Sequence, residues 1–388
     1  NVLKLVRIHG PISRPELAEQ TGLGLSTISN IVSELLEKGL LREVGEGDSS
    51  GGRRPGLLDV NESARYAFGV KIGPGRVWIA LFDLRARQLD TVEIEFQNSD
   101  APEELLKMIA VRIKKLIKTH HLVKRTLLGV GVSASGLIDP ETGICRYSPI
   151  LGWKDIPLRS TLESLTNLYV IVENDVNAFA YGMSLPALDS DTRNMICITT
   201  GPGVGAGIIL DRHLYRGSRG GAGEFGHTSI DRNGPLCPCG RKGCLDVLAS
   251  DQFLLARAKE VAMNGGSSLL RDMANEQKLS PESLFNAAQL GDDSAIDIYK
   301  ELGRNLGSGI VNLINLFTPD KIIIGGEGAV ASKFFIEEVN EVVRQFSFPH
   351  LADHVTITVD DGSEDVWLQG VARLIIEEFF ERPMTIIN

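Results

Sequence analysis

Gly69-Val70-Lys71-Ile72-Gly73-Pro74-Gly75, followed by an apolar run to Asp83, can be laid over Cys197-Ile198-Thr199-Thr200-Gly201-Pro202-Gly203, followed by a similar run to Asp211, with equal spacing throughout. A strand, a glycine loop and a return strand that occur twice in one chain indicate two like lobes. Ligands of such pairs are expected in the cleft between them. Residues 66–72, 77–83 and 89–96 are β-branched and aromatic runs divided by turns, which predicts an antiparallel meander. Asp100-Ala101-Pro102 then caps a helix whose inward face is Leu105, Ile109, Ile113 and Leu116 or Ile117. Two further strands, 127–132 and 169–173, end at Ser133-Ala134-Ser135-Gly136 and at Asn174-Asp175. Beyond the second glycine loop come a long apolar helix over 302–317, a strand and loop over 320–326, and a last helix over 365–381. That helix carries Val366, Leu368, Val371, Leu374 and Ile375 and is expected to dock on the first lobe.

Outward toward the N-terminus the pattern changes to short helices. Val2, Leu3, Leu5 and Val6 fit a helix ended by Gly10-Pro11. Ser13 stands as an N-cap ahead of Pro15 and Glu16, and Gly22-Leu23-Gly24 breaks the second helix. A third opens at Ser26 with Ile28, Ile31, Val32, Leu35 and Leu36 at helical spacing. This is a helix-turn-helix pattern, although an ordinary three-helix packing unit reads the same way. Two strands over 40–44 and 57–60 then form a wing, and Gly51-Gly52-Arg53-Arg54-Pro55-Gly56 lies between them. In that arrangement Ser26, Thr27, Ser29 and Asn30 face phosphates or base edges in the major groove. Arg53 and Arg54 suit a narrow minor groove, where negative potential is concentrated. Bases and acids roughly balance up to Gly56, so one copy binds operator DNA weakly and a dimer on palindromic half-sites is expected.

Outward in the other direction lies Gly223-Glu224-Phe225-Gly226-His227 and, after a short link, Cys237-Pro238-Cys239-Gly240-Arg241-Lys242-Gly243-Cys244-Leu245-Asp246. One imidazole and three thiols on a glycine-rich stretch are ligands for tetrahedral zinc. A Cys3His set is closed, which makes Zn2+ structural here; the alternative is three free thiols beside an unrelated histidine. Cys145 and Cys197 sit alone in apolar contexts, which argues for a reducing compartment. The imidazole nitrogen left over from the metal is expected to donate to an oxygen, and a polyhydroxylated ligand would supply one.

The string A-G-E-F-G-H at 222–227, followed by C-x-C-G-x-x-G-C-L-[ED] at 237–246, resembles the signature of the ROK family of sugar kinases and sugar-responsive repressors. The strings S-R-x-E-L-A at 13–18, S-T-I-S at 26–29 and G-G-R-R-P at 51–55 are similar to the winged-helix end of its repressors, in the xylose-repressor and N-acetylglucosamine-repressor-like branch. The resemblance implies an α/β fold: an N-terminal winged helix-turn-helix, then a two-lobed actin-like, hexokinase-like (ribonuclease H-like) ATPase fold. Residues 1–60 would be the DNA-binding domain and 61–190 the first lobe, completed by 365–388. Residues 191–364 would be the second lobe, with the zinc site and dimerisation elements. It further implies that Asn174 and Asp175 bind sugar hydroxyls, that Glu224 binds more of them, and that His227 bridges zinc and sugar. Gly136 matches the small residue that lets the sugar approach the backbone, and Asp246 stands where the kinases have glutamate. Phe225 and Trp153 are stacking candidates that core packing would equally explain.

A kinase of this fold needs a base, phosphate-holding loops and an acid near the metal-nucleotide. Asp175 matches the family's base, though as a residue at the end of a strand it also reads as a helix N-cap. The first loop departs from the D-x-G-G-T of the kinases: the acid is Lys71, the second glycine is Pro74 and the threonine is Gly75. A reversed charge and a lost backbone donor, each worth about 1 to 3 kcal/mol, predict lost ATP binding. The chain is therefore expected to be a sugar-responsive regulator and no enzyme, with sugar closing the two lobes and moving the DNA-binding arms of a homodimer or tetramer. The other reading is an active ROK-type sugar kinase carrying a DNA-binding arm. At 388 residues and a formal net charge of -10, any DNA contact is local, and no run approaches a membrane span. A cytoplasmic protein of carbohydrate metabolism is the expectation.

Overall fold

Ser13 sets the geometry of the N-terminal segment. Its amide donates to Glu16 Oε2 at 2.8 Å while the Glu16 amide donates to Ser13 Oγ at 3.4 Å, a reciprocal cap that starts the helix Arg14–Thr21. Gly22, at φ 68, ends that helix in the left-handed region, and Leu25–Glu37 follows from Gly24. Strand Leu41–Glu46 pairs antiparallel with Gly56–Val60, and Ile12–Ser13 adds a third strand on the far edge of Gly56–Val60. The helix-turn-helix and its two wing strands are thus present. Arg53 and Arg54 lie outside the described residues, which are 2–46, 56–97, 101–187, 192–360, 362 and 364–381 of this computed structural model.

The chain divides into two units. The first comprises Asn1–Ala134, Pro140–Glu173 and Trp367–Asn388; the second comprises Ser135–Asp139 and Asn174–Val366. In the first, strands Tyr66–Gly73, Arg76–Asp83 and Gln88–Glu95 form the expected meander, and Leu127–Ala134 runs parallel to Tyr66–Gly73 with Val170–Asn174 outside it. Helix Asp365–Glu381 lies on this sheet. Cβ atoms at Gly69 and Gly131 would stand 2.3 and 2.2 Å from the Leu368 and Val371 carbonyl oxygens, so only glycine lets the helix come so close. Leu17, Ile28 and Val32 of the helix-turn-helix share one apolar cluster with Leu84, Ile376, Phe379 and Phe380. Arg7 strengthens that join, with Nη2 at 2.6 Å from Glu377 and its guanidinium 4.4 Å from the Phe380 ring centroid. The winged helix is packed onto the first sheet through a common core rather than hung from it.

In the second unit a five-stranded sheet runs in the order His213–Leu214, Gly205–Leu210, Met195–Thr199, Lys321–Gly325, Thr356–Val359. The 25-residue helix Asp293–Phe317 supplies much of its core, including Leu302, Leu306, Ile310 and Ile314. Equal sequence spacing did not give the two glycine hairpins equal register. In the first, Gly73 pairs with Arg76 and leaves Pro74 and Gly75 (φ 74) as a tight turn. In the second, pairing stops at Thr199 with Gly205, so residues 200–204 form a wider loop. No helix among the described residues is long and apolar enough to cross a membrane.

Candidate functional site

The metal-ligating candidates converge. One ligand atom from each of His227, Cys237, Cys239 and Cys244 lies within 4.8 Å of the others. Cys237 Sγ is 3.7 Å from His227 Nδ1, and Cys239 Sγ is 3.6 Å from Cys244 Sγ. Zinc–sulfur bonds of about 2.3 Å place tetrahedral ligands about 3.8 Å apart, so the donor set fits that ion in type and spacing. His227 turns Nδ1 toward the thiols, which leaves Nε2 as the ring nitrogen for a second partner. The Arg241 backbone amide donating to Cys239 pulls its thiol down to about 6, whereas burial pushes Cys244 up to about 12 and Cys237 upward. A bound dication would deprotonate all three.

The same stretch is fastened to the second glycine hairpin. Ala206 donates its amide to the Gly223 carbonyl at 3.0 Å. Gly223 sits at φ 90, where a Cβ would fall 1.9 Å from the Ala206 carbonyl oxygen, and a Cβ at Gly226 would fall 2.1 Å from that of Val204. Glycine is therefore required at both positions. Asp246 Oδ1 accepts from the Val204 amide at 2.9 Å, a structural tie that sequence reasoning missed; it leaves the other oxygen to offer a ligand. Glu224 lies exposed on this segment, its carbonyl accepting from the His227 amide at 3.1 Å. Phe225 and Trp153 are each 4% exposed, so both are core residues.

Asn174 and Asp175 stand where strand Val170–Asn174 meets helix Asp175–Ala187. Asn174 Oδ1 accepts from the amides of Val176 at 2.9 Å and Asn177 at 3.1 Å, and its Nδ2 donates to the Gly136 carbonyl at 3.0 Å. Capping thus falls to Asn174, while Asp175 occupies the first turn with Oδ1 accepting from the Val176 amide at 2.9 Å. A carboxylate there is favoured by the helix dipole. Asn174 also fixes Gly136 beside it. Among the DNA-facing candidates, Ser26, Thr27 and Asn30 are exposed at the start of Leu25–Glu37, and Ser29 is half-buried. Gly24 gives that helix no side-chain cap, so its first amides remain to be satisfied by solvent or a phosphate.

A family pattern described as "ROK family" matches residues 67–378, and one described as "Winged helix-turn-helix DNA-binding" matches residues 1–42. The chain is 31% identical over 382 residues to a protein named "Xylose repressor" from Caldicellulosiruptor bescii, covering 98% of this chain and 96% of that one. A protein named "Glucokinase" from Halalkalibacterium halodurans is also 31% identical, over 318 residues, covering 81% of this chain and 96% of its own. Among solved structures, one described as a ROK family transcriptional regulator homologous to the Escherichia coli Mlc protein superposes with a TM-score of 0.86 at 29% identity. It covers 100% of this chain and 97% of its own.

Proposed function

Because the chain belongs to the ROK family, we propose that it is a sugar-responsive, DNA-binding transcriptional regulator, a repressor of sugar-utilisation genes that binds a monosaccharide without phosphorylating it. One observation carries this reading. The relative named as a repressor matches 98% of the chain, whereas the one named as a glucokinase matches 81%, and the N-terminal helices and wing strands lie ahead of residue 67, where the family match begins. In this reading Zn2+ held by His227, Cys237, Cys239 and Cys244 pins the segment that presents Glu224. Asn174, Asp175, Glu224, His227 and Asp246 take sugar hydroxyls, with Gly136 giving the sugar access to the backbone. Ser26, Thr27, Ser29 and Asn30 contact operator DNA, assisted by Arg53 and Arg54, and the protein acts in the cytoplasm as a dimer or tetramer. Residues 1–60 serve as the DNA-binding domain, 61–190 with 365–388 as the first lobe, and 191–364 as the second. The first glycine loop supports the lack of kinase activity in this reading: Lys71 is 5% exposed with its ammonium 4.0 Å from the Trp367 ring centroid, a buried cation that would repel magnesium there.

Sugar shifts DNA affinity only by its difference in affinity for the two states, about 1 to 3 kcal/mol, or 5- to 150-fold. Gel shifts on operator DNA with and without xylose, glucose and N-acetylglucosamine are expected to show such a change for one sugar, and to lose it in Glu224→Gln. Operator binding indifferent to every sugar would overturn the sensing role. Sugar-dependent ADP release that vanishes in Asp175→Asn would establish the kinase instead.

A further inference from the structure

Residues 105–138 contain no aspartate or glutamate, although the chain's formal net charge is -10. The bases of that stretch gather on the exposed side and at the end of helix Pro102–Thr119 in the first unit. Arg112, Lys114, Lys115 and Lys118 are exposed on the helix, and Lys124 and Arg125 are exposed on the turn that follows it. Lys107 pairs with Glu104 at 2.7 Å, but among the described residues none of these six meets a carboxylate. Compensation of the helix dipole accounts only for Lys118, the base in the last turn. The sheet fixes where this strip lies. Tyr66 pairs with Leu127, which puts Arg65 and Arg125, just ahead of the two strands, at one end of the sheet. His120 Nε2 lies 2.7 Å from Asp90 and holds the end of the helix there too. Among the described residues Arg65 donates only to the Ala64 carbonyl, at 2.8 Å. Its own burial, and then the Arg125 charge, hold its pKa below the usual arginine value. Two guanidiniums close together without an acid are an arrangement that an anion relieves. The winged helix joins the sheet at the same end: Ala64, next to Arg65, shares an apolar cluster with Leu41 and Val60 of the wing strands, and Arg42 pairs with Glu62 at 2.9 Å.

We propose that this basic strip is a second DNA contact, which grips phosphates flanking the half-site taken by the winged helix. The contact presupposes the DNA-binding role proposed for the winged helix and extends it to the first sheet. Bases and acids roughly balance in the winged segment, so the strip supplies the phosphate-neutralising charge that segment lacks. From Arg112 to Lys118 the helix rises about 9 Å, the rise of two to three phosphates along one strand of duplex. Contacts of this kind add affinity and fix the protein's orientation without reading sequence.

Lys114→Gln, Lys115→Gln and Lys118→Gln combined in the full chain test it, at exposed positions where glutamine sustains the helix. The probe is a duplex that the unmodified chain selects from a random pool, either cut to its protected core or left about ten base pairs longer at each end. Fluorescence anisotropy at about 50 mM salt is expected to show the triple variant binding the longer duplex about ten-fold more weakly than the unmodified chain, and the core duplex within about two-fold. The slope of log K against log salt on the longer duplex should become shallower by about 2 to 3. Lys124→Gln with Arg125→Gln should act in the same direction, and binding of the core duplex reports in each case that the winged helix is folded. Equal binding of the longer duplex by variant and unmodified chain, an equal loss on both duplexes, or a loss confined to phosphatidylglycerol vesicles with DNA affinity untouched would each overturn the proposal. An unmodified chain that selects no duplex would overturn the DNA-binding role itself, and with it this contact.

Discussion

The two glycine hairpins start from one sequence pattern and reach opposite arrangements. The first closes on itself: Pro74 and Gly75 make a tight turn, and Lys71 sets its ammonium 4.0 Å from the Trp367 ring centroid and 5.4 Å from that of Trp78. The second is held open from several directions. Thr200 donates its amide to Gly325 and accepts from Gly328, Gly201 accepts from Asp251, and Val204 donates to Asp246. A repeated pattern thus determines where a hairpin forms, while the segments packed around it determine whether its turn is tight or wide.

The largest test of that contrast removes the metal stretch. Cys244→Ser, or chelation, is expected to cost about 4 kcal/mol or more, because a structural zinc site contributes its binding energy to folding. Metal content, urea unfolding and hydrogen exchange check it. Protection should fall at residues 204–206, which Gly223 and Asp246 support, and hold at 66–83. Unchanged stability in a metal-free variant would break the contrast.

A smaller effect is expected at the first hairpin. Lys71→Asp puts a carboxylate against two indole faces in place of a cation and should cost about 2 to 3 kcal/mol, against about 1 for Lys71→Met. Urea midpoints measure the cost, and calorimetry with ADP and Mg2+ shows whether restoring the acid restores a nucleotide site. Tight nucleotide binding by Lys71→Asp would mean that the first hairpin is one substitution from function rather than rebuilt.

The smallest effect belongs to Asp251 beside the second hairpin. Its folded pKa of about 6 lies above its ordinary 3.8, so the contribution of its protonated carboxyl to folding is fully present below about pH 4 and is lost as pH rises through about 6. Asp251→Asn should therefore stabilise the protein by about 1 kcal/mol at pH 8, a figure reduced for solvent screening, with no gain at pH 4. Thermal unfolding at the two pH values shows the sign.

Most elements were legible because local rules governed them. Ser13 and Glu16 announced a cap, the period-2 runs announced the meander, and three thiols and an imidazole on a glycine-rich stretch announced a cluster that could hold a metal. Less local facts were hidden. The tie between Asp246 and the Val204 amide joins residues 42 positions apart, and Asp175 reads as a cap until Asn174 is seen to perform that role.

By itself the sequence determined the winged helix, the doubled hairpin and the Cys3His donor set, because capping, strand period and ligand spacing act over a few residues. Only the tertiary structure decided that the winged helix shares a core with helix Asp365–Glu381, that Lys71 beside one glycine turn is buried against Trp367, and that the other turn is tied to Gly325, Asp251 and Asp246. Those outcomes rest on close approach and electrostatics between segments far apart in the chain, where desolvation and neighbouring charge, rather than residue type, set what each group does.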